Sequence, residues 1–211
     1  MSTPEPPSEF VAEAYAIQGH EDMVDFYRRW AERYDEEMLS KGYCSPRAIA
    51  ELAHQYLVNA DAEVLDAGCG TGLTSVVLAD HGYGRLDGVD LSESMLGVAG
   101  ARGIYRSLFT ADLTQTLPVE SESYDAVISS GTFTHGHVGP EALTELVRVL
   151  RAGGVLACTV HRDLWSSLGF DVAFEDLVNA GHLESLHQAL GPYYDDGEDE
   201  GWFCVYRRTG D

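Results

Sequence analysis

Basic side chains are scarce in this 211-residue chain: Lys and Arg number 13 against 35 Asp and Glu, a formal net charge of -22. Phosphate recognition rests on clustered Lys and Arg, so nucleic acid and anionic membrane surfaces are poor partners, and no nucleic-acid or membrane binding is expected. A neutral or cationic small molecule fits better. Cysteine is also sparse: Cys44, Cys69, Cys158 and Cys204 show no C-x-x-C spacing, so a disulfide or zinc framework is not expected and free thiols in a reducing cytoplasm are. No apolar run approaches the roughly 18 to 20 residues that would span a bilayer. The opening MSTPEPPSE has neither a basic region nor an apolar segment behind it, which argues against a secretory signal, and its Pro and acid content predicts a disordered tail over residues 1–8. The remainder, 9–211, is long enough to bury one core without staples, and no internal repeat or linker divides it.

The helical period is strongest in the first part. Over residues 9–39, Val24, Tyr27, Trp30, Ala31 and Tyr34 return at spacings of three and four, predicting a helical lid over about 9–40. Ser45-Pro46 opens a second helix carrying Ile49, Leu52, Ala53 and Tyr56 on one face. From there short strand-like runs alternate with helical ones: strand near 64–65, helix 74–80, strand 86–89, helix 93–101, and strands near 105–110 and 126–129. In "PEALTELVRVL" Pro140 suits a first helical turn and Leu143, Leu146, Val147 and Leu150 make one apolar stripe, with Gly153-Gly154 as the stop before a strand at 155–160. Such alternation predicts an α/β fold, a parallel sheet with helices on both faces. Two further strand-like runs, 183–189 and 202–206, lack an intervening helix and are joined by about a dozen residues containing "DDGEDE"; they read as a hairpin closing one sheet edge, with the last strand antiparallel.

The stretch "EVLDAGCGTG" at 63–72 sets Gly68, Gly70 and Gly72 at alternate positions after a short strand. Bare backbone there lets the chain turn sharply and approach a ligand, with free N–H groups on the following helix. The dinucleotide fingerprint G-x-G-x-x-G is not met, since the third glycine comes one residue early. Asp66, two residues before Gly68, would repel a pyrophosphate and attract an ammonium or sulfonium group. Asp90, 22 residues after Gly68, ends the second strand where a carboxylate accepts both ribose hydroxyls of an adenosine, whichever cofactor carries it. Asp112 in "TADLTQTLP" ends the third strand and can accept from the exocyclic amine of adenine, with Leu91, Met95 and Leu113 as apolar walls. Each of these aspartates alone also fits a helix cap or a turn. Three at successive strand ends, where open α/β sheets bind ligands, point to a site.

The run "VLDAGCGTG", followed by "GVDLSESML", "ADLTQTLP", "YDAVISSGTFTHGHV" and "LVRVLRAGGVL", resembles the class I S-adenosylmethionine-dependent methyltransferases in order and spacing over residues 48–160. "FYRRWAERYDEEM" is similar to the N-terminal helix that many small-molecule members fold over the cofactor. The resemblance implies a Rossmann-like three-layer sandwich whose seven-stranded, mostly parallel sheet has the order 3-2-1-4-5-7-6 and one antiparallel strand. It implies that Gly68, Gly70 and Gly72 lie against the methionine part of S-adenosylmethionine, Asp90 on the ribose, Asp112 on the adenine amine and Ser129 beside the sulfonium, with Tyr27 or Tyr34 covering the methionine carboxylate. S-adenosylhomocysteine would be the product. The segment between the fifth strand and the final hairpin is short and leaves little room for a dedicated acceptor domain.

Methyl transfer from a sulfonium is an in-line displacement in which the leaving thioether needs no protonation, so positioning and exclusion of water are the main tasks. A base is needed only if the acceptor must lose a proton. His135, His137 and His161 fall at the carboxyl ends of the fourth and fifth strands, near Phe133, Arg162 and Trp165. His135 matches a position where the family often carries His and is the candidate general base, although a loop cap or packing residue fits the same pattern. The H-x-H pair lacks a third ligand at a recognisable spacing, so no metal is expected. Tyr15, Phe26, Tyr27, Trp30 and Tyr34 could line a lid, though their helical spacing equally describes core. The acidic turn at 195–200 would attract a cationic substrate or simply face solvent. The sequence thus predicts a cytoplasmic methyltransferase with a small-molecule acceptor, as monomer or homodimer. A protein acceptor, a dehydrogenase and a non-catalytic cofactor-binding module are the rival readings.

Overall fold

The computed structural model describes residues 20–135, 138–197 and 199–210, with side chains of the first helix described from Phe26 onward. The predicted tail, Tyr15, the side chain of Val24, His137 and Glu198 of the acidic turn lie outside the described residues. In chain order the elements are α1 (His20–Ser40), α2 (Ser45–His54), β1 (Glu63–Ala67), α3 (Leu73–Asp80), β2 (Arg85–Asp90), α4 (Glu93–Ala101) and β3 (Tyr105–Thr110). There follow β4 (Tyr124–Phe133), α5 (Ala142–Val149), β5 (Leu150–His161), α6 (Leu164–Ser167), α7 (Phe170–Asn179), β6 (Leu183–Pro192) and β7 (Glu200–Arg208). No described helix is long and apolar enough to cross a membrane, and the four cysteines are free.

The strands form one seven-stranded sheet in the order β3-β2-β1-β4-β5-β7-β6. β7 runs antiparallel to both its neighbours, β5 and β6, while the first five strands in space pair in parallel. The hairpin reading of the C-terminal third therefore holds, with strands longer and a link shorter, residues 193–199, than the apolar runs alone suggested. Because β1 and β4 are covered on both faces, their residues alternate between two cores rather than between core and water. Leu65 and Val127 join Leu143, Leu146, Phe170 and Phe174 of α5 and α7 on one side. Val64, Ala126 and Ile128 join Phe26, Trp30, Ile49 and Leu78 of α1, α2 and α3 on the other.

One boundary differs from the sequence reading. Pro140 precedes the helix, α5 starts at Ala142, and Leu150 is already extended and paired with Tyr124. Gly153 and Gly154 lie inside β5, where the register jumps from Tyr124↔Leu150 to Ala126↔Val155. A Cβ on Gly154 would meet the Arg151 and Asp125 carbonyl oxygens at 2.9 and 3.0 Å, so the glycine pair serves a strand bulge and not a helix stop.

The helix α1 is a tethered roof. Phe26 and Trp30 are buried, and the Trp30 ring packs against Phe26, Tyr27 and Tyr34 at centroid distances of 5.3, 6.0 and 4.7 Å. Its indole N–H donates to Glu37 at 2.9 Å. Trp30→Ala should cost about 3 to 5 kcal/mol of stability by cavity formation. Urea unfolding should show the lowered midpoint, and limited proteolysis should show earlier cleavage within α1.

Candidate functional site

A cleft opens at the carboxyl ends of β1, β2, β3 and β4, the position at which open α/β sheets bind ligands. Its walls include Tyr27 and Tyr34 of α1, Tyr43, Gly68 to Thr71, Asp90, Leu91, Ser92, Met95, Asp112, Leu113, and the stretch Ser130, Gly131 and Thr132. Among the described residues no Lys or Arg lines it, and two carboxylates do. Phe26 and Trp30 belong to the core and not to this wall, as the alternative reading of the helix spacing held.

The glycine loop is gripped by the end of β2. The Val89 carbonyl accepts from Gly68 N–H at 2.8 Å and from Cys69 N–H at 3.0 Å, and Asp90 Oδ2 accepts from Gly70 N–H at 2.8 Å. Asp90 Oδ1 accepts from Ser92 N–H at 2.8 Å. A carboxylate has about four lone-pair positions, so these backbone donors do not exhaust Asp90, which also lines the cleft. Burial pushes the Asp90 carboxyl above the ordinary carboxylate range, opposed by those backbone N–H groups. Asp112 Oδ1 is turned into its own loop, accepting from Thr114 N–H and Oγ1–H at 2.8 and 2.7 Å.

The three glycines have different causes. At Gly68, with φ +71°, a Cβ would sit 2.2 Å from Thr132 Oγ1; at Gly72, with φ +91°, it would sit 2.9 Å from the Tyr105 hydroxyl. Both are required by the protein's own packing. Around Gly70, with φ +53°, a Cβ would find nothing within 4 Å, and this residue presents bare backbone to the cleft.

Three residues expected at the cofactor lie outside the cleft wall. Asp66 does not reach the cleft: it is 1% exposed beneath the loop, where Ser75 Oγ–H and Tyr105 Oη–H donate to its Oδ2 at 2.6 and 2.9 Å and its Oδ1 has no partner. Gly72 caps α3 and is outside the wall. Ser129 is fully buried and its hydroxyl donates to the Ala67 carbonyl at 2.7 Å; Ser130 is the serine on the wall. The reason is a break in pairing, since β4 loses register with β5 between Ser129 and Phe133 and strict alternation fails there. The other expected cofactor residues, Tyr27, Tyr34, Gly68, Gly70, Asp90, Leu91, Met95, Asp112 and Leu113, all line the cleft.

Sequence reasoning missed Tyr43. It follows α1 in an unpatterned link and is brought in by a bridge to Tyr194, with Cys44 N–H and Ser45 N–H donating to the Tyr193 carbonyl at 2.9 and 3.2 Å. Burial pushes its phenol up to about 12, despite hydrogen bonds to Ser130 and Ser45. His135 is not part of the wall. Its Nε2 lies 3.8 Å from Asp163 Oδ2 and its ring packs edge-on against His161 at 4.6 Å. His161 Nε2 is 2.9 Å from Asp199 Oδ1, and its Nδ1 accepts from Asp163 N–H at 3.2 Å.

A methyltransferase-domain family pattern matches residues 65–158. Methyltransferase-like protein 27 of Homo sapiens is 36% identical over 183 residues, covering 83% of this chain and 74% of that protein. The ubiquinone biosynthesis O-methyltransferase of Dechloromonas aromatica is 31% identical over 135 residues, 58% of this chain, and the match spans 56% of its own length. Among solved structures, a methyltransferase in complex with the Haloferax volcanii Trm112 methyltransferase activator superposes with a TM-score of 0.68 at 19% identity, covering 87% of this chain and 98% of that one.

Two outcomes test the loop's construction. Gly68→Ala must displace Thr132 and adopt a strained φ, so a loss of stability of about 2 kcal/mol or more is expected, read as a lowered urea midpoint. Burial holds the Asp66 carboxyl at about 6, against 3.8 ordinarily. The folded chain therefore binds more protons than the unfolded chain between those values, and stability falls as pH rises from about 4 to 6. Asp66→Asn should remove that fall, on the order of 2 to 3 kcal/mol, so unfolding midpoints of the two proteins should converge near pH 4 and separate by pH 7. Equal separation at both pH values would refute it.

Proposed function

Because this chain belongs to the class I S-adenosylmethionine-dependent methyltransferases, we propose that its cleft binds S-adenosylmethionine and that the methyl passes directly to a small-molecule acceptor. The observation that carries the reading is one cleft in which Asp90 and Asp112, at the ends of adjacent strands, and the bare backbone of Gly70 meet with no basic side chain among the described walls. That chemistry suits a ligand with vicinal hydroxyls, an amino-purine and positive charge, and opposes a pyrophosphate. Asp90 would take the ribose hydroxyls and Asp112 the adenine amine, with Leu91, Met95 and Leu113 against the ring. Gly68, Gly70, Tyr27 and Tyr34 would enclose the methionine part.

S-adenosylmethionine supplies a sulfonium methyl, and the C–S electron pair stays on sulfur as the neutral thioether of S-adenosylhomocysteine. The chain's own task is alignment. Ser130 and Tyr43, hydrogen-bonded to each other and to Ser45, give the acceptor end a rigid polar edge. For an acceptor that must shed a proton, His135 is the candidate base: it stands outside the cleft wall, in sequence between the wall residues Thr132 and Val138, and Asp163 would steady the imidazolium.

Calorimetric titration with S-adenosylmethionine, S-adenosylhomocysteine and NADH tests the reading. One-to-one saturable binding of the first two is expected, weakened at least about 100-fold by Asp90→Ala, since each hydrogen bond to a charged group contributes about 1.5 to 3 kcal/mol. NADH should not bind. Binding of NADH alone would replace the methyltransferase cleft with a dinucleotide site.

A further inference from the structure

In a chain with only 13 basic residues, one arginine is placed against the glycine loop. Arg102 caps the C-terminal end of α4, where the helix carbonyls favour positive charge. Its Nε–H donates to the Thr71 carbonyl at 2.5 Å, and its Nη2 pairs with Asp35 Oδ2. Its stem passes over Gly72, on which a Cβ would stand 3.3 Å from Arg102 Cδ. Asp35 closes the ring with its other oxygen, accepting from Thr71 Oγ1–H at 2.5 Å. Roof helix, glycine loop and α4 thus meet in three side chains.

We propose that Asp35, Thr71 and Arg102 form a clasp that sets how fast the cleft exchanges its cofactor, an inference that rests on the S-adenosylmethionine reading of the cleft. Tyr34, next to Asp35, and Tyr27, two turns earlier, line the cleft from the roof, while Gly70 and Thr71 line it from the loop. The methionine part would lie between these two surfaces. A ligand held at its other end by Asp90 and Asp112 leaves when the roof lifts, and lifting α1 separates Asp35 from both its partners at once. Thr71 is 1% exposed, so its bond to Asp35 must break before water can replace it, which raises the barrier to opening. The charged pair is reached by solvent, with the Arg102 side chain 23% and the Asp35 side chain 31% exposed, so salt weakens the clasp.

Neither Asp35 nor Arg102 belongs to the cleft wall. The clasp therefore acts on the opening of the roof in the empty and in the occupied chain alike. Weakening it speeds entry and departure together and leaves affinity nearly unchanged, whereas losing a direct ligand contact speeds departure alone.

Surface plasmon resonance on the full chain measures association and dissociation of S-adenosylhomocysteine. Its ammonium and carboxylate cancel, so the field of a chain of charge -22 does not steer it, and salt dependence reports the clasp. Asp35→Asn and Arg102→Gln should each raise both rate constants about 10-fold, the scale of one charged hydrogen bond, and move Kd less than about 3-fold. The double variant should be faster by less than the product of the two. Raising salt from about 0.05 to 0.5 M should speed exchange in the wild-type chain and not in Asp35→Asn. Rates unchanged in either single variant, dissociation raised with association unchanged, or a fully multiplicative double variant would overturn the clasp. Hydrogen exchange of the ligand-free chain keeps it distinct from the cofactor reading: amides of α1 and the glycine loop should exchange faster in Asp35→Asn, with those of β5 unchanged as a check on the fold. Unchanged exchange at α1 overturns the clasp. Faster exchange at α1 in a chain that does not bind S-adenosylhomocysteine overturns the cofactor reading and not the clasp's hold on the roof.

Discussion

Three consecutive backbone N–H groups of the glycine loop are held by the end of one neighbouring strand: Gly68 and Cys69 by the Val89 carbonyl, Gly70 by the Asp90 carboxylate. This grip fixes where the bare backbone stands, and Asp90 performs it while also facing the cleft. The same carboxylate receives Ser92 N–H, and Ser92 in turn caps α4 by accepting from Met95 N–H at 3.4 Å. Loop, strand end and helix start are therefore one hydrogen-bonded unit. A ligand that bonds to Asp90 meets a group already oriented, so little ordering entropy is left to lose on binding.

The roof is coupled to that unit by charge. Asp35 of α1 accepts from Thr71 Oγ1–H in the loop and pairs with Arg102 at the end of α4, and Arg102 Nε–H donates to the Thr71 carbonyl. Two neighbouring turns of α1 thus do different work: Trp30 anchors the helix in the core, and Tyr34 and Asp35 sit on the cleft and on its loop. Because Thr71 is bonded to both partners, movement of α1 away from the cleft must disturb the glycine loop. Hydrophobic burial supplies the roof's adhesion and the Asp35 pairing supplies its register.

How much was legible in the sequence depends on which physics acts locally. Alternating strand and helix, the glycine turn and the capped start of α4 are set by residues close in sequence, and the sheet order came from the family resemblance. Asp90, Asp112 and their apolar neighbours were readable because a strand end places its last residues on the ligand side of the sheet. Features made by contacts between distant segments were not. Ser130 and not Ser129 lines the cleft, where β4 shifts register against β5, and Tyr43 is delivered by its bridge to Tyr194 in the hairpin link, far along the chain. The H-x-H spacing drew attention to His135 and His137, whereas among the described contacts of His135 are His161 and Asp163, brought to it from the end of β5. Asp66, expected to face the ligand, is held beneath the loop by the hydroxyls of Ser75 and Tyr105.

The placement of negative charge bears on catalysis as well as on binding. Methyl transfer disperses the positive charge of a sulfonium, so a carboxylate against the sulfur would stabilise the ground state more than the transition state and slow the reaction. In this cleft the carboxylates stand at Asp90 and Asp112, with Asp66 buried below, while the Ser130 to Thr132 edge offers hydroxyls and backbone. On the proposed binding mode, attraction is thus exerted on the nucleoside and through the long-range field, and the reacting end is left to uncharged dipoles. After transfer the thioether is neutral and that field no longer favours it. An acidic protein with its carboxylates set back from the reacting atoms is therefore suited both to collect a cationic cofactor and to let its uncharged product sulfur go.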